Sequence, residues 1–392
     1  MYREHAVGVV VPAYNEEGFA GEVLTGMPSF VDRIYAVDDR STDGTWEEIL
    51  AAAETDAAVR APDGGTVDAG TDADTSADTT AETTTETSGN GSERLVAGDD
   101  RRGGALFERA TVHDPIGRVL PIRHERNRGA GGAIKTGYLA ALQDDLFVGI
   151  VATIDADGQM DSGLLPRFLD PIVEGDAEYT KGNRLLDPEA REEMPAFRLF
   201  GNAMLTFLTK IASGYWKTMD PQNGYTAIAT PALAAVDVEE LYEYYGYCTD
   251  LLIKLNVERA RVADVAMPAR YGEETSSIKY EEYIRKVSLL LLRGFLWRLK
   301  TRYLLFDFHP LALLYGLGAL TTGTGLLEGV STLRKRVVAR GRTSGVPATG
   351  TDGGSGSWAR SALTVAVGCT VLVLSMIFDL EANEGLETQV RE

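Results

Sequence analysis

The stretch from Phe147 to Gln159, FVGIVATIDADGQ, decides the fold. Its first part, 147–154, is a short and almost wholly apolar run, which is typical of a strand buried on both faces of a parallel sheet. Two carboxylates and an amide follow at once, from Asp155, Asp157 and Gln159. Because ligands of open α/β sheets bind beyond the carboxyl ends of the strands, this order indicates a binding site. A solvated Asp-rich loop is the alternative.

Strands and helices alternate upstream of this stretch, and the strands are short apolar runs while the helices follow turn residues. Strands are predicted over 6–11, 33–37 and 119–124, and helices over 17–27, 45–53 and 130–142. The alternation predicts an α/β fold with a doubly wound sheet.

The spacing within DADGQ suits a metal ion. Carboxylates at positions i and i+2, with an amide oxygen at i+4, can converge on one hard divalent cation, Mg²⁺ or Mn²⁺. Such a cation completes its coordination shell with phosphate oxygens. The sequence therefore predicts a metal site at Asp155, Asp157 and Gln159, beside a phosphorylated ligand.

Two other polar motifs, VPAYNEE and VDDRSTDGT, also follow predicted strands. Tyr14 is able to stack on a base. Glu16, or an Asp of the pair Asp38 and Asp39, is able to accept hydrogen bonds from a base or a ribose. Helix capping is the alternative for each residue, since Ser, Thr and Asp are common at helix N-termini.

A Gly-rich turn, NRGAGGAIK at 127–135, enters a predicted helix. It is not a dinucleotide fingerprint, because Ile134 occupies the sixth position of G-x-G-x-x-G counted from Gly129 and no first strand precedes it. A Rossmann dehydrogenase is therefore rejected. The backbone N–H groups at the start of the helix still suit an anionic ligand.

Taken in chain order, six motifs resemble those of the family 2 glycosyltransferases, and most closely the dolichol-phosphate mannose synthase-like (polyprenyl-phosphate glycosyltransferase) branch. The motifs are VVVPAYNEE, VDDRSTDGT, NRGAGGAIKTG, DADGQ, GNR and DPQNGYTAI. The resemblance covers roughly 6–285, less an insertion described below. It implies a GT-A fold with a Rossmann-like, doubly wound mixed sheet, a nucleotide-sugar donor, Mg²⁺ or Mn²⁺, and inversion at the anomeric carbon.

The resemblance also implies roles for individual residues. Those expected to bind the nucleotide sugar are Pro12, Tyr14, Glu16, Asp38, Asp39, Asp155, Ala156 and Asp157. The expected metal ligands are Asp155, Asp157 and Gln159. Those expected to bind the acceptor or its phosphate are Arg184, Arg270, Ser276 and Lys279.

Asp220 of DPQNGY, Asp250 of YCTDLL and Arg184 are the residues expected to act in catalysis. An acceptor sugar hydroxyl needs a general base. A lipid phosphate is already an oxyanion near pH 7, so positioning and charge neutralisation dominate. In that case Asp220 would orient the sugar or the phosphate-binding arginines. Helix capping is the alternative for both aspartates.

The composition excludes several classes of protein. A formal net charge of -20 over 392 residues argues against a nucleic-acid binder. Two cysteines exclude a disulfide framework. The Thr- and Asp-rich stretch 60–105 is predicted to be a disordered acidic insertion. The remaining acidity is expected of a protein kept soluble at high salt, and indicates a halophilic source.

The C-terminal region differs in pattern from the catalytic domain expected over 1–279. A basic amphipathic helix at 280–303 is predicted to lie on the membrane surface, with a plain packing helix as the alternative. Transmembrane or re-entrant helices are predicted at 304–327 and 361–380, joined by a basic Gly/Ser-rich loop at 328–360 and followed by a tail at 381–392.

The topology of these helices is left open. The start of the chain has no secretory signal, so the catalytic domain is expected in the cytoplasm. Two spans would then place the basic loop outside, against the positive-inside tendency, and a re-entrant hairpin would resolve the conflict.

Together these features predict an enzyme of the cell membrane with a cytoplasmic catalytic domain. It would move a hexose or a derivative from a UDP- or GDP-sugar to dolichyl or polyprenyl phosphate, for surface protein glycosylation. Two alternatives stay open: a transferase that extends a lipid-linked oligosaccharide or polysaccharide, and a membrane-tethered nucleotide-sugar binding protein. A processive synthase is disfavoured because the Q-x-x-R-W element is missing. The sugar, the nucleotide and homo-oligomers formed through the membrane helices also stay open.

Overall fold

The computed structural model describes residues 1–60, 100–186, 196–268, 280–342 and 355–390. They belong to two compact units, Met1–Gly163 and Leu164–Glu392, which we call the N-terminal and C-terminal units. Most of the predicted insertion, 61–99, lies outside the described residues. The prediction of disorder is wrong for 100–105, which belong to a helix, Asp100–Phe107.

The strands of the N-terminal unit form a mostly parallel sheet in the order β3-β4-β2-β1-β5. They are β1 Val7–Ala13, β2 Arg33–Asp38, β3 Ala110–Val112, β4 Val119–His124 and β5 Ile150–Thr153. Only the pairing of β3 with β4 is antiparallel among these described strands. Every residue of β1 is buried, as its apolar sequence predicts.

The chain reverses its direction across this sheet at β1. It runs outward from β1 to β2 and β4, and then returns to place β5 on the other side of β1. Right-handed crossovers in opposite directions make a doubly wound sheet, and ligands bind at the carboxyl ends of the strands where the order reverses. The predicted fold class is therefore confirmed, and DADGQ begins just after β5, at this reversal.

The helices of the N-terminal unit connect these strands. They are α1 Ala20–Thr25, α2 Thr45–Arg60, α3 Asp100–Phe107 and α4 Ala130–Ala141. Helix α1 is shorter than predicted and α2 longer. Helix α4 packs closely on β1, because a Cβ atom on Gly137 would lie 2.3 Å from Cγ1 of Val10.

The strands of the C-terminal unit follow the order β7-β6-β8-β9. They are β6 Tyr179–Asn183, β7 Thr226–Ala229, β8 Val262–Ala266 and β9 Glu387–Val390. Strand β7 is antiparallel to β6, and the other two pairings are parallel, so the sheet is mixed as predicted.

Strand β9 lies within the stretch 381–392, for which the sequence predicts only a tail. Its residues pair with β8 in the register Val262↔Glu387 to Val265↔Val390. A short segment that alternates polar and apolar residues carries a weak strand signal, and here the free edge of β8 supplies the pairing partner.

The helices of the C-terminal unit include the long apolar pair. They are α5 Leu165–Val173, α6 Ala196–Ser213, α7 Thr230–Ala235, α8 Tyr247–Val257, α9 Tyr280–Arg298, α10 Leu311–Arg342 and α11 Ser355–Asn383. A π-helical segment, Leu299–Phe306, follows α9.

Helix α9 has two apolar faces. Val287 and Leu291 are buried against α6 and α8, so the packing alternative holds for that face. Leu289, Leu292 and Leu296 are exposed on the other face. Helix α9 therefore lies where a basic amphipathic helix is predicted, with one apolar face packed on protein and another exposed. Its position on a membrane surface stays a prediction.

Two of the basic residues that the sequence assigned to the membrane surface lie elsewhere. Arg298 and Arg302 are buried within the C-terminal unit. Arg298 meets Asp379 of α11, so a carboxylate inside the second apolar segment draws this cation inward.

Two of the described helices contain segments long and apolar enough to cross a membrane, Leu311–Lys335 and Ser357–Leu386. They pack on each other through glycines, with Gly318 close to Leu372 and Gly368 close to Thr322. The basic loop expected at 328–360 is wrong in its first part, because α10 continues to Arg342. Lys and Arg are good helix formers, so the basic composition does not end the helix.

Candidate functional site

The DADGQ turn is fixed to the end of β1. The Ala156 N–H donates to the carbonyl of Pro12 over 3.2 Å. Gly158 has φ +71°, which few other residues adopt. The Gln159 N–H donates to the Asp157 carboxylate over 2.9 Å. The turn therefore keeps the predicted residues together at the reversal point of the sheet.

The oxygen atoms of the turn that could hold a hard cation come from Asp155, Asp157 and Gln159. Burial raises the pKa of Asp157, although N–H groups of the turn lower it in part. A bound cation would relieve that cost of burying a carboxylate. Among the described residues, no cluster of three or more His, Cys, Asp or Glu side chains forms a metal site. The two carboxylates fit an ion that takes its remaining ligands from Gln159, water or a phosphorylated ligand.

The loop that follows β1 is joined to the loop that follows β2. The Asn15 N–H donates to Oγ of Ser41 over 3.0 Å, and the Glu16 N–H donates to Oγ1 of Thr45 over 2.8 Å. Asn15 itself has φ +57°. Tyr14, the residue before Asn15, has 46% of its surface exposed, so its ring is open to a stacking partner.

Asp39 holds the Gly-rich turn. Its carboxylate accepts the backbone N–H groups of Arg128 and Gly129, each over 2.7 Å. It also accepts a hydrogen bond from Nδ1 of His124 over 2.6 Å, and Nε2 of that ring lies 2.7 Å from Oγ1 of Thr136. Asp39 is buried, so the structure gives it a loop-holding role that the sequence did not indicate. A direct contact with the nucleotide stays a prediction.

Asp38 is also buried and also holds a loop. It accepts the Ser41 N–H over 2.9 Å and pairs with Nε of Arg123 at 2.9 Å. The aspartate pair at the end of β2 therefore organises the loops around the reversal point of the sheet. Its contact with a ligand stays a prediction.

Arg184 and Asp220 form a bidentate ion pair in the C-terminal unit. Nε and Nη2 of Arg184 lie 2.8 and 2.9 Å from the two carboxylate oxygens of Asp220. Burial alone would raise the pKa of Asp220, but the hydrogen bonds and charge of Arg184, with the charge of Lys181, hold the pKa below its ordinary value. Asp220 also has φ +49°, a rare conformation for a residue with a side chain.

A buried ion pair between Lys181 and Asp264 holds the backbone next to Asp220. Asp264 on β8 lies 3.3 Å from Nζ of Lys181 and accepts Nδ2 of Asn183 over 2.6 Å. It also accepts the N–H of Met219, the residue before Asp220, over 2.8 Å. Burial raises the pKa of Asp264, and the Lys181 charge offsets only part of that effect. Sequence reasoning missed Lys181 and Asp264, because each lies within an ordinary strand.

Asp250 stands in the first turn of α8 and accepts the Tyr242 N–H over 3.0 Å. Its neighbour Thr249 accepts a hydrogen bond from Gln222 over 3.1 Å, so the YCTD and DPQNG motifs meet. A catalytic role for Asp250 stays a prediction. Arg270, Ser276 and Lys279 lie outside the described residues.

Comparison with protein families identifies this arrangement. The model of glycosyl transferase family 2 matches residues 109–236, a range that contains both the DADGQ turn and the Arg184–Asp220 pair. The chain carries a family 2 glycosyltransferase domain. The predicted family is thereby confirmed.

Two curated proteins are similar to this chain. It is 32% identical over 156 residues to the UDP-N-acetylglucosamine–dolichyl-phosphate N-acetylglucosaminyltransferase of Methanococcus voltae, a match that covers 40% of this chain and 61% of the relative. It is 28% identical over 188 residues to an uncharacterized protein of Methanocaldococcus jannaschii, covering 48% of this chain and 74% of that protein.

Among solved structures, this chain is similar to glucosyl-3-phosphoglycerate synthase of Mycobacterium tuberculosis in complex with Mn²⁺, uridine diphosphate and phosphoglyceric acid. The sequence identity is 18%, the TM-score is 0.47, and the match covers 74% of this chain and 79% of the other.

Proposed function

We propose that this chain is an inverting glycosyltransferase that moves a hexose or a derivative from a UDP- or GDP-sugar to dolichyl or polyprenyl phosphate. The observation that carries the proposal is the turn Asp155–Gln159, which lies at the reversal point of a doubly wound sheet inside the family 2 match. The name of the Methanococcus voltae relative supports both a UDP-sugar donor and a dolichyl phosphate acceptor.

On the donor side, the exposed ring of Tyr14 would stack on the base, and Glu16 would accept from the base or ribose. Asp155, Asp157 and Gln159 would hold Mg²⁺ or Mn²⁺ beside the diphosphate. The cation would supply charge neutralisation for the departing nucleoside diphosphate. The Gly-rich turn held by Asp39 would offer backbone N–H groups to phosphate oxygens.

On the acceptor side, a phosphate oxygen of the lipid would attack the anomeric carbon. A bond forms between that oxygen and the carbon while the bond from the carbon to the nucleoside diphosphate breaks, with inversion. The lipid phosphate is an anion near pH 7, so no general base is needed. Arg184, oriented by its bidentate pair with Asp220, would neutralise phosphate charge together with Arg270 and Lys279. Ser276 would donate a hydrogen bond to the same phosphate.

We also propose that the enzyme is a membrane protein with its catalytic part in the cytoplasm. Helices α10 and α11 contain the two candidate spans, and the exposed leucines of α9 extend the apolar surface beside them. A lipid-linked sugar made at this membrane would serve surface protein glycosylation.

Full-length protein in membranes that contain dolichyl phosphate tests the proposal. We expect a labelled sugar from one UDP- or GDP-sugar to enter a phosphoglycolipid, with a requirement for Mg²⁺ or Mn²⁺, and Asp157→Ala to abolish the transfer. No labelled phosphoglycolipid from any common donor would contradict it. Label that appears only when a lipid-linked oligosaccharide is added would favour the chain-extending alternative.

A further inference from the structure

The carboxylate of Glu387, at the start of β9, binds a row of backbone groups. It accepts the N–H groups of Trp216, Lys217 and Thr218 over 2.6, 2.6 and 2.8 Å. Nε2 of Gln389, on the same strand, donates to the carbonyl of Lys217 over 3.3 Å. The last described strand therefore holds the segment 216–218 by hydrogen bonds to three consecutive residues.

The next residue along that segment is held by a different carboxylate. The Met219 N–H donates to Asp264, so Glu387 and Asp264 together bind four consecutive N–H groups, from Trp216 to Met219. Asp220 follows directly, with φ +49°. A left-handed conformation in a residue with a side chain persists only where the surrounding structure fixes it.

The polar groups around Glu387 serve this one segment. Burial raises the pKa of Glu387, and the three N–H groups lower it only in part. Lys210 binds the same segment, because its ammonium group donates to the carbonyl of Trp216 over 2.6 Å. A carboxylate bonded to successive N–H groups fixes the backbone in one arrangement.

From these contacts we infer that Glu387 is a positioning residue for the reaction. It sets the backbone before Asp220, and through Asp220 it sets the guanidinium of Arg184. The inference rests on the proposed function, in which Arg184 binds acceptor phosphate. It gives the C-terminal strand a part in acceptor binding that nothing in its own sequence suggests.

The substitution Glu387→Gln in the full-length protein tests this role. One carboxylate oxygen becomes an NH₂ group, so at least one of the three N–H groups loses its acceptor. Glu384→Gln is the matched control, because Glu384 is 66% exposed and lies 3.9 Å from Nζ of Lys217. Glu387→Asp keeps the charge on a shorter side chain.

We expect Glu387→Gln to lower kcat/KM for polyprenyl phosphate about tenfold or more, with an unchanged KM for the nucleotide sugar. Glu387→Asp should recover part of the loss, and Glu384→Gln should match the wild type. In an Asp220→Asn background, Glu387→Gln should cause little further loss of kcat/KM, because Glu387 acts through Asp220. The inference would be overturned if kcat/KM fell equally for the nucleotide sugar and for polyprenyl phosphate. It would also be overturned if the fold-losses of kcat/KM in the two single variants multiplied in the double variant.

Amide hydrogen exchange gives a readout that does not depend on activity. The N–H groups of Trp216, Lys217 and Thr218 should exchange about tenfold faster in Glu387→Gln and at the wild-type rate in Glu384→Gln. Unchanged exchange in Glu387→Gln would overturn the inference, even if the wild type transfers sugar. If the wild type transfers no sugar, the proposed function and the acceptor role of Glu387 are both contradicted. Faster amide exchange in Glu387→Gln would in that case still show that Glu387 holds the backbone of 216–218.

Discussion

The guanidinium of Arg298 donates two hydrogen bonds to the carboxylate of Asp379, over 3.0 and 2.7 Å, and both side chains are 0% exposed. The pair joins the end of α9 to the second apolar helix. Tyr303 donates its hydroxyl hydrogen to the same carboxylate over 2.7 Å. A carboxylate inside the second candidate span is thus bound by two residues that precede the first candidate span, and Nδ2 of Asn383 donates to it as well, over 3.0 Å.

Removing one partner of this pair should be costly. Asp379→Asn leaves the Arg298 charge buried without its counter-ion, and we expect a loss of about 3–5 kcal/mol in the free energy of unfolding. The double variant Arg298→Met with Asp379→Leu should recover most of that loss, since apolar side chains replace both charges. Denaturation in detergent micelles measures the values, and a single variant as stable as the wild type would contradict the expectation.

The carboxylates of the DADGQ turn should control the metal requirement. We expect Asp157→Asn to lower turnover about a hundredfold or more, while Asp161→Asn, just beyond the turn, should leave it near the wild-type value. Because burial raises the pKa of Asp157, protons should compete with Mn²⁺ at a pH above the ordinary range of an aspartate. Manganese titrations between pH 7 and pH 5 check this. An Mn²⁺ affinity that does not weaken on acidification would count against Asp157 as a ligand.

The Arg184–Asp220 pair should contribute stability with a defined pH dependence. The pKa of Asp220 is held below its ordinary value, so its contribution is present above the unfolded pKa of about 3.9. It is lost as the pH falls through the lower, folded pKa. The stability difference between wild type and Asp220→Asn should therefore stay constant from pH 7 to pH 5 and shrink only below about pH 4. A difference that already shrinks near pH 6 would show that the pair is not formed as described.

The geometry of the pair should matter as much as its charge. Lysine keeps the charge of Arg184 but cannot make two parallel hydrogen bonds to a carboxylate. We expect Arg184→Lys to lower kcat/KM for the lipid acceptor about ten- to hundredfold. The KM for the nucleotide sugar serves as the internal control and should not change. A variant with wild-type acceptor kinetics would remove Arg184 from the proposed acceptor site.

The close packing of α4 on β1 should tolerate no added methyl group. A Cβ atom on Gly137 would lie 2.3 Å from Cγ1 of Val10, so Gly137→Ala should destabilise the protein by about 1–3 kcal/mol. Gly104 of α3 has no atom within 4 Å of the same position, and Gly104→Ala is the matched control. Thermal unfolding of Gly137→Ala and Gly104→Ala checks this. Equal melting temperatures for the two variants would contradict the close packing of α4 on β1.

Much of the fold of the N-terminal unit follows from the sequence. The apolar runs at β1, β2, β4 and β5 predict strands because a parallel sheet buries both faces of each strand. The end of each apolar run predicts where a loop begins, and these loops lie near the end of β1. The roles within those loops do not follow, because a buried aspartate such as Asp39 has the same sequence signal whether it binds a ligand or holds the turn at Gly129.

The C-terminal unit is harder to predict. Arg298 sits in a basic amphipathic pattern, and only the fold reveals that Asp379, far away in the chain, draws it inward. Glu387 belongs to a strand that exists because β8 has a free edge. Long-range pairings of this kind have no local pattern in a single sequence. The motif residues Arg184 and Asp220 were found only because they match a family pattern, and their contact confirms that the two motifs meet.

Strand β9 also limits how many times the two long apolar helices can cross a bilayer. Within the C-terminal unit, the chain enters α10 and α11 after Phe306 and returns to the sheet of that unit at Glu387. Whatever lies between these points must cross a bilayer an even number of times. The described residues between these points contain two candidate spans, so the choice is between two crossings and none. Two crossings carry the cationic end of α10 to the opposite face, and no crossing keeps it beside the sheet. Locating Arg342 on one face or the other would therefore settle the topology of the whole chain.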